Sequence, residues 1–501
     1  MVLSMVGIAI SLVFLITLAY RGHSVIYIAP IAALIAVIFS GVPLLATYTQ
    51  VFMPAMGGFL ISYFPLFLTG AIFGSLMSAT GYAQDIAHWL ATLIGPSKAI
   101  FITVLATSLL TYGGVSAWVV IFSIFPIATA LFREADIPRR LMPASVMLGL
   151  FTFGLATLPG TPQIHNTMPG QYFGTNTFAA PILSILSTLL LFGLGMAWLT
   201  YRQRKLKAAG ESYFDATVME KREATALKAR TGGGAASDID DAGTTSNTPV
   251  LLADSPTGSE LPVDGGGVHR RGILGVLPIF VVTAMNALAT YVIIPSMDTD
   301  YLAEEKYGAT SVDSLVSIWS VVIALVAGIL WMLAVKFREI AALVKTLSEG
   351  AQRAVVPATI TASEVGYGAV IASLAAFAFV RDGLSAISEN ALVTGVLSVA
   401  GVSGITGSAS GGLAISLEAF GSDLATAAAQ QGIDMEIMHR VLAMASTSFD
   451  SLPHNGAMLT VLLVCGLTHR EAYKDIFVVS VITPIVGVLF AGSLGLTIGA
   501  F

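Results

Sequence analysis

Long apolar stretches separated by short polar ones dominate this chain. Ten of them are long enough to cross about 30 Å of hydrocarbon as helices. They lie near residues 2–20, 25–41, 60–80, 141–157, 178–200, 272–295, 313–335, 354–380, 436–465 and 475–497. Shorter stretches at 43–58, 82–94 and 338–352 are more polar and predict helices at the membrane surface. The pattern predicts an all-α polytopic membrane protein.

The composition supports this class. Of the 501 residues, 55% are hydrophobic and only 11% are charged. In soluble domains about a quarter of all residues are charged. The single cysteine excludes an internal disulfide framework. The first 20 residues lack a basic start, so we expect a first span rather than a cleaved signal peptide. We expect a multi-pass protein of the bacterial plasma membrane.

One long segment differs from the rest of the chain. Residues 201–271 are charged, rich in small polar residues and almost free of aromatic ones, which predicts a disordered cytoplasmic linker. It separates a first transmembrane repeat (1–200) from a second (272–501). With the linker inside, nearly all basic residues fall inside as well. Lys306, Arg381 and Arg440 are then expected outside, and both termini are extracytoplasmic.

The two halves are predicted to be inverted copies of one unit. Each contains five predicted spans, and an odd number places the second half upside down relative to the first. The motif Thr-Tyr-Gly-Gly (111–114) precedes Thr-Leu-Pro-Gly (157–160), and Thr-Gly-Ser-Ala (406–409) precedes Ser-Leu-Pro-His (451–454) at nearly the same distance. The predicted fold is two inverted repeats of about five transmembrane helices, each with one re-entrant hairpin.

The hairpins are assigned to residues 99–132 and 391–420, which are apolar but interrupted by Thr, Gly and Ser. The limb Phe101–Leu110 would rise only about 15 Å, which reaches the middle of a bilayer. A re-entrant hairpin therefore fits better than two complete crossings. Two crossings also return the chain to its starting side, so the distribution of basic residues is compatible with both.

Interrupted helices are predicted in the fourth span of each half. Residues 157–166 contain two prolines, which cannot continue a regular helix, and residues 446–456 are polar between apolar flanks. Irregular backbone within a membrane is tolerated where it is buried in protein or lines a polar cavity. A simple proline kink is the alternative, but it does not require the Gln, His, Asn and Asp residues that gather at these breaks.

These interruptions suggest a binding site for an anion. Discontinuous helices point half-helix N-termini, the positive ends of helix dipoles, towards the membrane centre. The candidate substrate-binding residues are Gly113, Gly114, Ser116, Thr161, Gln163, Asn166, Ser408, Ser410, Gly411 and Asn455. No Lys or Arg is predicted at that depth. We therefore expect a monoanion rather than a trianion such as citrate.

Ionisable residues within predicted spans are candidates for binding a coupling ion. They are Glu364, Asp450, His454 and His165. Asp450 and His454 would share a helix face if the helix continues through them. The alternative for Glu364 is a protonated, hydrogen-bonded residue that serves only in packing.

The broken helices resemble a known family. Residues 158–166 (LPGTPQIHN) and 452–457 (LPHNGA), with the later Gly-Leu-Thr-His at 466–469, resemble the gluconate permease (GntP) family, in particular its hydroxybutyrate-permease-like branch, within the ion transporter superfamily. The resemblance implies import of gluconate-like sugar acids or short hydroxy acids, usually by proton symport. It also implies a homodimer with a fixed scaffold and a mobile transport domain built from the hairpins and broken helices.

Other functions stay open at this point. A sodium-coupled carboxylate transporter or a cation/proton exchanger would use the same Ser, Thr, Asn and carbonyl oxygens. An intramembrane serine protease is suggested only by Gly-Val-Ser-Gly at 401–404, and it leaves the duplication unexplained. No nucleotide-binding motif is evident. We expect no catalytic residues, cofactor, metal or nucleic acid, and as partners a small organic anion, a proton or sodium ion, and the lipid bilayer.

Overall fold

The computed structural model describes residues 2–20, 23–213, 265–377, 379, 388–453 and 455–499. Every regular element within these ranges is a helix. Counting only the described residues, eight helices are long and apolar enough to cross a membrane, or nine if the bent pair Tyr82–Ile94 and Pro96–Tyr112 is one span. The predicted all-α polytopic class is confirmed.

The two halves share one order of elements: a hairpin of two helices, an interrupted helix and a long final helix. The first half contains α1 (Val2–Tyr20), α2 (Val25–Ser40), α3 (Leu44–Ala79), α4 (Tyr82–Ile94), α5 (Ala99–Tyr112), α6 (Ala117–Glu134), α7 (Arg139–Thr157), α8 (Met168–Phe173) and α9 (Pro181–Ala208). The second contains α10 (Gly265–Leu288), α11 (Val312–Val335), α12 (Ile340–Ser373), α13 (Ala391–Thr406), α14 (Ala409–Gln430), α15 (Met435–Ser446), α16 (Gly456–Cys465) and α17 (His469–Ile498). The inverted orientation of the halves stays a prediction.

Two predicted surface helices are not separate elements. Residues 43–58 belong to α3 and residues 338–352 belong largely to α12, so each continues directly into the span that follows. In α3, a wider turn at Tyr48–Phe52 precedes Pro54, and such turns keep backbone groups hydrogen-bonded around a proline. The two long helices pack along each other. At Gly350 of α12, an added side-chain carbon would lie 2.8 Å from Ile72 Cα of α3, so glycine permits this approach.

Both predicted hairpins are present as two helices joined by a tight tip. Gly114 (φ 88°) and Gly407 (φ 64°) adopt left-handed backbone at the tips, which glycine does without steric cost. The first limb, α5, has 14 residues and rises about 21 Å, too short to cross the hydrocarbon. The first tip packs on α3, where a carbon added at Gly74 would lie 3.5 Å from Ser116 N. Re-entry rather than complete crossing stays a prediction.

The helix interruptions lie where the prolines and polar residues indicate. After Thr157 the chain leaves helical geometry and next forms a short 3-10 turn at Ile164–Asn166. In the second half, α15 ends at Ser446 and α16 begins at Gly456. Asp450 and His454 were expected to share a helix face only if the helix continued through them, and this condition is not met, because Asp450 lies outside any helix. His454 is outside the described residues.

The predicted linker boundaries also need correction. Helix α9 continues past residue 200 to Ala208, and α10 begins at Gly265, before residue 272. Arg202 is buried there, because its guanidinium pairs with both carboxylate oxygens of Asp475 in α17, at 2.6 and 3.2 Å. A charged residue with such a partner can stay in the packed part of a helix. Residues 214–264 lie outside the described ranges, and their linker role stays a prediction.

Candidate substrate and ion site

The first interruption is attached to the tip of the first hairpin. The Gln163 amide donates a 2.7 Å hydrogen bond to the Thr111 carbonyl and a 3.4 Å bond to that of Val115. In the opposite direction, the Tyr112 hydroxyl donates to the Pro159 carbonyl at 3.1 Å. The end of α5 and the tip that follows it are thus tied to residues of the break. Of the predicted site residues, Gln163 contacts the first tip directly.

Asn166 forms hydrogen bonds that hold the loop of the first break together. Its amide nitrogen donates to the carbonyls of Thr161 (3.0 Å) and Thr177 (2.8 Å), and its side-chain oxygen accepts a 2.7 Å bond from Arg440. Asn166 is fully buried. Because both ends of its side-chain amide are bound by the protein, Asn166 holds the loop in shape in this conformation.

Arg440 is the principal residue that sequence reasoning missed. It lies on α15, is fully buried, and donates five hydrogen bonds of 2.7–3.1 Å into the first half. Besides Asn166, the acceptors are the carbonyls of Ala156, Thr177 and Ala179. The assignment of Arg440 to the extracytoplasmic side stays a prediction. The expectation that no Lys or Arg lies at the depth of the breaks is wrong, because Arg440 binds Asn166 in the first break. An arginine inside the predicted span 436–465 was the available signal, since such charges usually have a function.

Asn286 is a second polar residue that was missed. It is fully buried on α10, and its amide donates to the Gly160 carbonyl (3.0 Å) and the Thr177 hydroxyl (3.1 Å). It therefore supports the same loop as Arg440 from another helix. A lone asparagine within the apolar stretch 272–295 was the signal that could have identified it.

His165 lies in the short turn at the first break, which packs against α14 of the second hairpin. Its side chain is 7% exposed, and Nδ1 has no hydrogen-bond partner among the described residues. This contact brings the first break to the second hairpin. A role for His165 in ion binding stays a prediction.

The second break is built around Asp450. Its Oδ1 accepts a 2.8 Å bond from the Ala409 backbone N–H, at the start of α14, and a 2.9 Å bond from the Asn455 amide. Asn455 also donates to the Gly407 carbonyl (2.9 Å) and accepts from the Met458 N–H (2.6 Å). Asp450 and Asn455 are 2% and 4% exposed. Together they fasten the second break to the second hairpin tip.

A second carboxyl reaches the same tip from α12. The Ser408 hydroxyl lies 3.4 Å from Glu364 Oε2 and accepts a 3.0 Å bond from the Gly411 N–H. Gly411 has to lack a side chain here, because an added carbon would overlap the Glu364 carboxyl group. Glu364 is 3% exposed. We call Glu364, Ser408, Gly411, Asp450 and Asn455 the acidic cluster.

The acidic cluster includes no basic side chain from the described residues. Within the described ranges, no Lys, Arg or His side chain forms an ion pair with Glu364 or Asp450. Nor do three or more His, Cys, Asp or Glu side chains gather in the described part of the chain in a way that would hold a metal ion.

The predicted site residues thus form two groups. Around the first break lie Gly113, Gly114, Thr161, Gln163 and Asn166, with Ser116 at the start of α6. Ser408, Gly411, Asn455, Asp450 and Glu364 meet in the acidic cluster, and Ser410 lies in the first turn of α14. Among the described residues no hydrogen bond joins one group to the other.

The two groups differ in how their half-helices begin. In the second half, Ser408 caps α14 and Asn455 caps α16 through side-chain oxygens, and Asp450 binds a further N–H of α14. In the first half, Ser116 at α6 and Thr167 at α8 make no such capping bond. The protein itself therefore satisfies the positive helix ends of the second half.

A cavity of about 430 Å³ is lined in part by the helices that carry Glu364 and Gly411. Its walls come from α3, α8, α12 and α14, and they include Phe59, Tyr63, Gln171, Val365 and Glu418. Val365 directly follows Glu364 along α12. We call this space the outer cavity, because the predicted orientation of the helices places its opening on the extracytoplasmic side.

Comparisons with known proteins agree with this architecture. The family model described as GntP family permease matches residues 1–228. The chain is 37% identical over 489 residues to the uncharacterized transporter YxjC of Bacillus subtilis (strain 168), covering 96% of each chain. The chain belongs to the GntP permease family. It is therefore a multi-pass membrane transporter, a class that in bacteria resides in the plasma membrane.

Two more distant similarities bear on this GntP permease. An uncharacterized transporter of Haemophilus influenzae is 26% identical over 134 residues, which is 27% of this chain and 30% of that protein. The crystal structure of the YdaH transporter of Alcanivorax borkumensis superposes with a TM-score of 0.51 at 15% identity, covering 89% of this chain and 87% of that one. The second similarity shows a shared fold.

Proposed function

We propose that this GntP permease imports a short hydroxy monocarboxylate together with a proton. The observation that carries the proposal is the acidic cluster, in which Glu364 and Asp450 approach one hairpin tip from different elements. Both are buried without an ion-pair partner among the described residues.

Proton coupling follows from the cost of burying charge. An isolated carboxylate in a low-dielectric site is unfavourable unless it is paired or neutralised, and binding a proton neutralises it. Glu364 lies on α12, whereas Ser408 and Gly411 belong to the hairpin. Proton binding at Glu364 therefore changes the interaction between these two elements. This supplies a physical link between the proton and the position of the hairpin tip.

The proposed single negative charge of the substrate follows from the charged residues at the outer cavity and the first break. The outer cavity is lined by one carboxylate, Glu418, and by no basic residue among those described. The five donors of Arg440 are already bound to the protein, although its positive charge still acts on the region of the first break. A single negative charge is easier to accommodate here than two or three.

The proposal is tested by transport in proteoliposomes. Uptake of 3-hydroxybutyrate, lactate, glycerate, gluconate and citrate would be measured under an imposed proton gradient and, separately, an imposed sodium gradient. We expect accumulation of a hydroxy monocarboxylate under the proton gradient alone. Accumulation driven only by sodium would favour the sodium-coupled alternative, and no transport of any of these acids would contradict the substrate class.

Glu364→Gln tests the coupling residue. Glutamine keeps the shape but cannot release a proton, so we expect loss of proton-driven accumulation with exchange of substrate across the membrane retained. Glu349→Gln is the matched control, because Glu349 lies on the same helix in an exposed pair with Arg353. Proton-driven accumulation by Glu364→Gln equal to that of the control would remove Glu364 from this role.

A further inference from the structure

The outer cavity has two chemically different parts. Most of its wall is apolar and includes Val51, Phe59, Met168 and Val365. The polar part includes Ser62, Tyr63 and Gln171, which are neutral groups able to bind a hydroxyl. Its size suits a small organic molecule, and its chemistry suits one with a short alkyl chain and few hydroxyls.

Gln171 is fixed in a way that leaves its amide N–H groups available. The Tyr63 hydroxyl donates a 2.6 Å hydrogen bond to Gln171 Oε1, and Tyr63 itself is 5% exposed. No described residue accepts a hydrogen bond from the Gln171 amide nitrogen, and the side chain is half-buried at the cavity. A donor held in place by a buried partner is suited to recognising an oxygen atom of a ligand.

Part of the cavity wall comes from α12 and α14, the helices that carry Glu364 and Gly411. Val365 and Ala414 both line it. Val365 adjoins Glu364, and Ala414 lies about one helical turn beyond Gly411 on α14. At the rim, Glu418 accepts a 3.1 Å bond from the Tyr172 hydroxyl. A molecule in the cavity would therefore contact the two helices that carry Glu364 and the second hairpin tip.

We propose that the outer cavity is a recognition site in which the Gln171 amide, positioned by Tyr63, binds the hydroxyl of a short hydroxy monocarboxylate. This inference rests on the proposed function and assigns the residues that select its substrate. The carboxylate of Glu418 disfavours a second negative charge on the ligand. The apolar wall disfavours a sugar acid, whose several hydroxyls would lose water there without gaining partners.

The test compares 3-hydroxybutyrate with butyrate, which lacks only the hydroxyl. We expect wild-type uptake to favour 3-hydroxybutyrate in kcat/KM, and Gln171→Leu to reduce that preference about tenfold, as expected for one or two lost hydrogen bonds. Tyr63→Phe should reduce it less, since the donor stays but loses its support. Tyr367→Phe is the matched control, because this buried tyrosine binds Ser11 at 3.0 Å, on α1. An unchanged preference in Gln171→Leu, or an equal loss for both acids, would overturn the inference.

A second measurement separates this inference from the proposed function. Cys465 is the chain's sole cysteine and is buried, so Ser62→Cys places one accessible thiol in the cavity. We expect 3-hydroxybutyrate to slow its modification by an impermeant thiol reagent at least several-fold more than butyrate does. Protection without proton-driven uptake would support the recognition site and contradict proton symport. Uptake without any protection would contradict the site and leave proton symport in place.

Discussion

Arg440 and Asn166 lie in opposite halves of the chain, yet the Arg440 guanidinium donates a 2.7 Å hydrogen bond to the Asn166 side-chain oxygen. Asn166 in turn holds the loop between Thr161 and Thr177. The shape of the first break therefore depends on a side chain from the second half. The second break, in contrast, is held by residues of its own half.

Arg440→Lys should destabilise the folded protein by about 2 kcal/mol or more, because lysine lacks the planar fork and leaves buried carbonyls unpaired. Thermal unfolding of the purified protein in detergent would measure the loss. Arg353→Lys is the control, because this side chain is 59% exposed and should change little. Equal unfolding temperatures for the two variants would contradict the structural role of Arg440.

Asp450→Asn and Asp450→Ala should differ in stability. Asparagine keeps an oxygen that can accept from the Ala409 N–H and the Asn455 amide, whereas alanine removes the acceptor for both. We expect alanine to cost about 1–3 kcal/mol more than asparagine in unfolding free energy, because it leaves buried donors unpaired. Both should lose coupled uptake if Asp450 shares the proton with Glu364. Equal stability of the two variants would mean that the acceptor role is unimportant.

Gly411→Ala should abolish transport and destabilise the protein by about 1–3 kcal/mol. The added methyl group overlaps the Glu364 carboxyl group and must displace it from the hairpin. Gly401→Ala is the matched control, because a carbon added there meets no atom within 4 Å.

Adding Glu364→Ala to Gly411→Ala tests the same contact from the other side. The smaller residue removes the overlap, so the unfolding temperature should recover although uptake does not. Failure to recover would indicate that the methyl group is harmful for another reason.

Ser116→Cys tests whether the first hairpin is re-entrant. A hairpin entered from the cytoplasm predicts modification by an impermeant thiol reagent from the cytoplasmic face and little from outside. Ser296→Cys is the control, because its side chain is exposed and the predicted orientation places it outside. Ready labelling of Ser116→Cys only from outside would indicate two complete crossings.

The elements that could be predicted from sequence are those whose backbone conformation is determined by residues close by in the chain. The prolines at 159 and 162 mark the first break, and the Gly-rich strings mark both tips, because each acts on the backbone within a few residues. The length of α3 could not be predicted in this way. Its polar first turns are those of a surface helix, and only packing against α12 shows that the helix continues.

The site was harder to predict because its decisive contacts are distant in sequence. The position of Arg440 inside a predicted span indicated a role, but nothing local indicates that its partners are the carbonyls of Ala156 and Ala179. Similarly, the sequence indicated that Glu364 is a carboxyl group within the membrane. Its contact with Ser408 and Gly411 could be identified only from the three-dimensional structure.

Helix α15 and the turn that follows it carry both Arg440, which binds the first break, and Asp450, which binds the second hairpin tip. A shift of this one short segment would pull on the loop closed by Asn166 and on the hairpin tip at Ala409 at the same moment. The two interruptions are thus connected through one short segment of the chain. A displacement of this segment would therefore be expected to affect both interruptions at once.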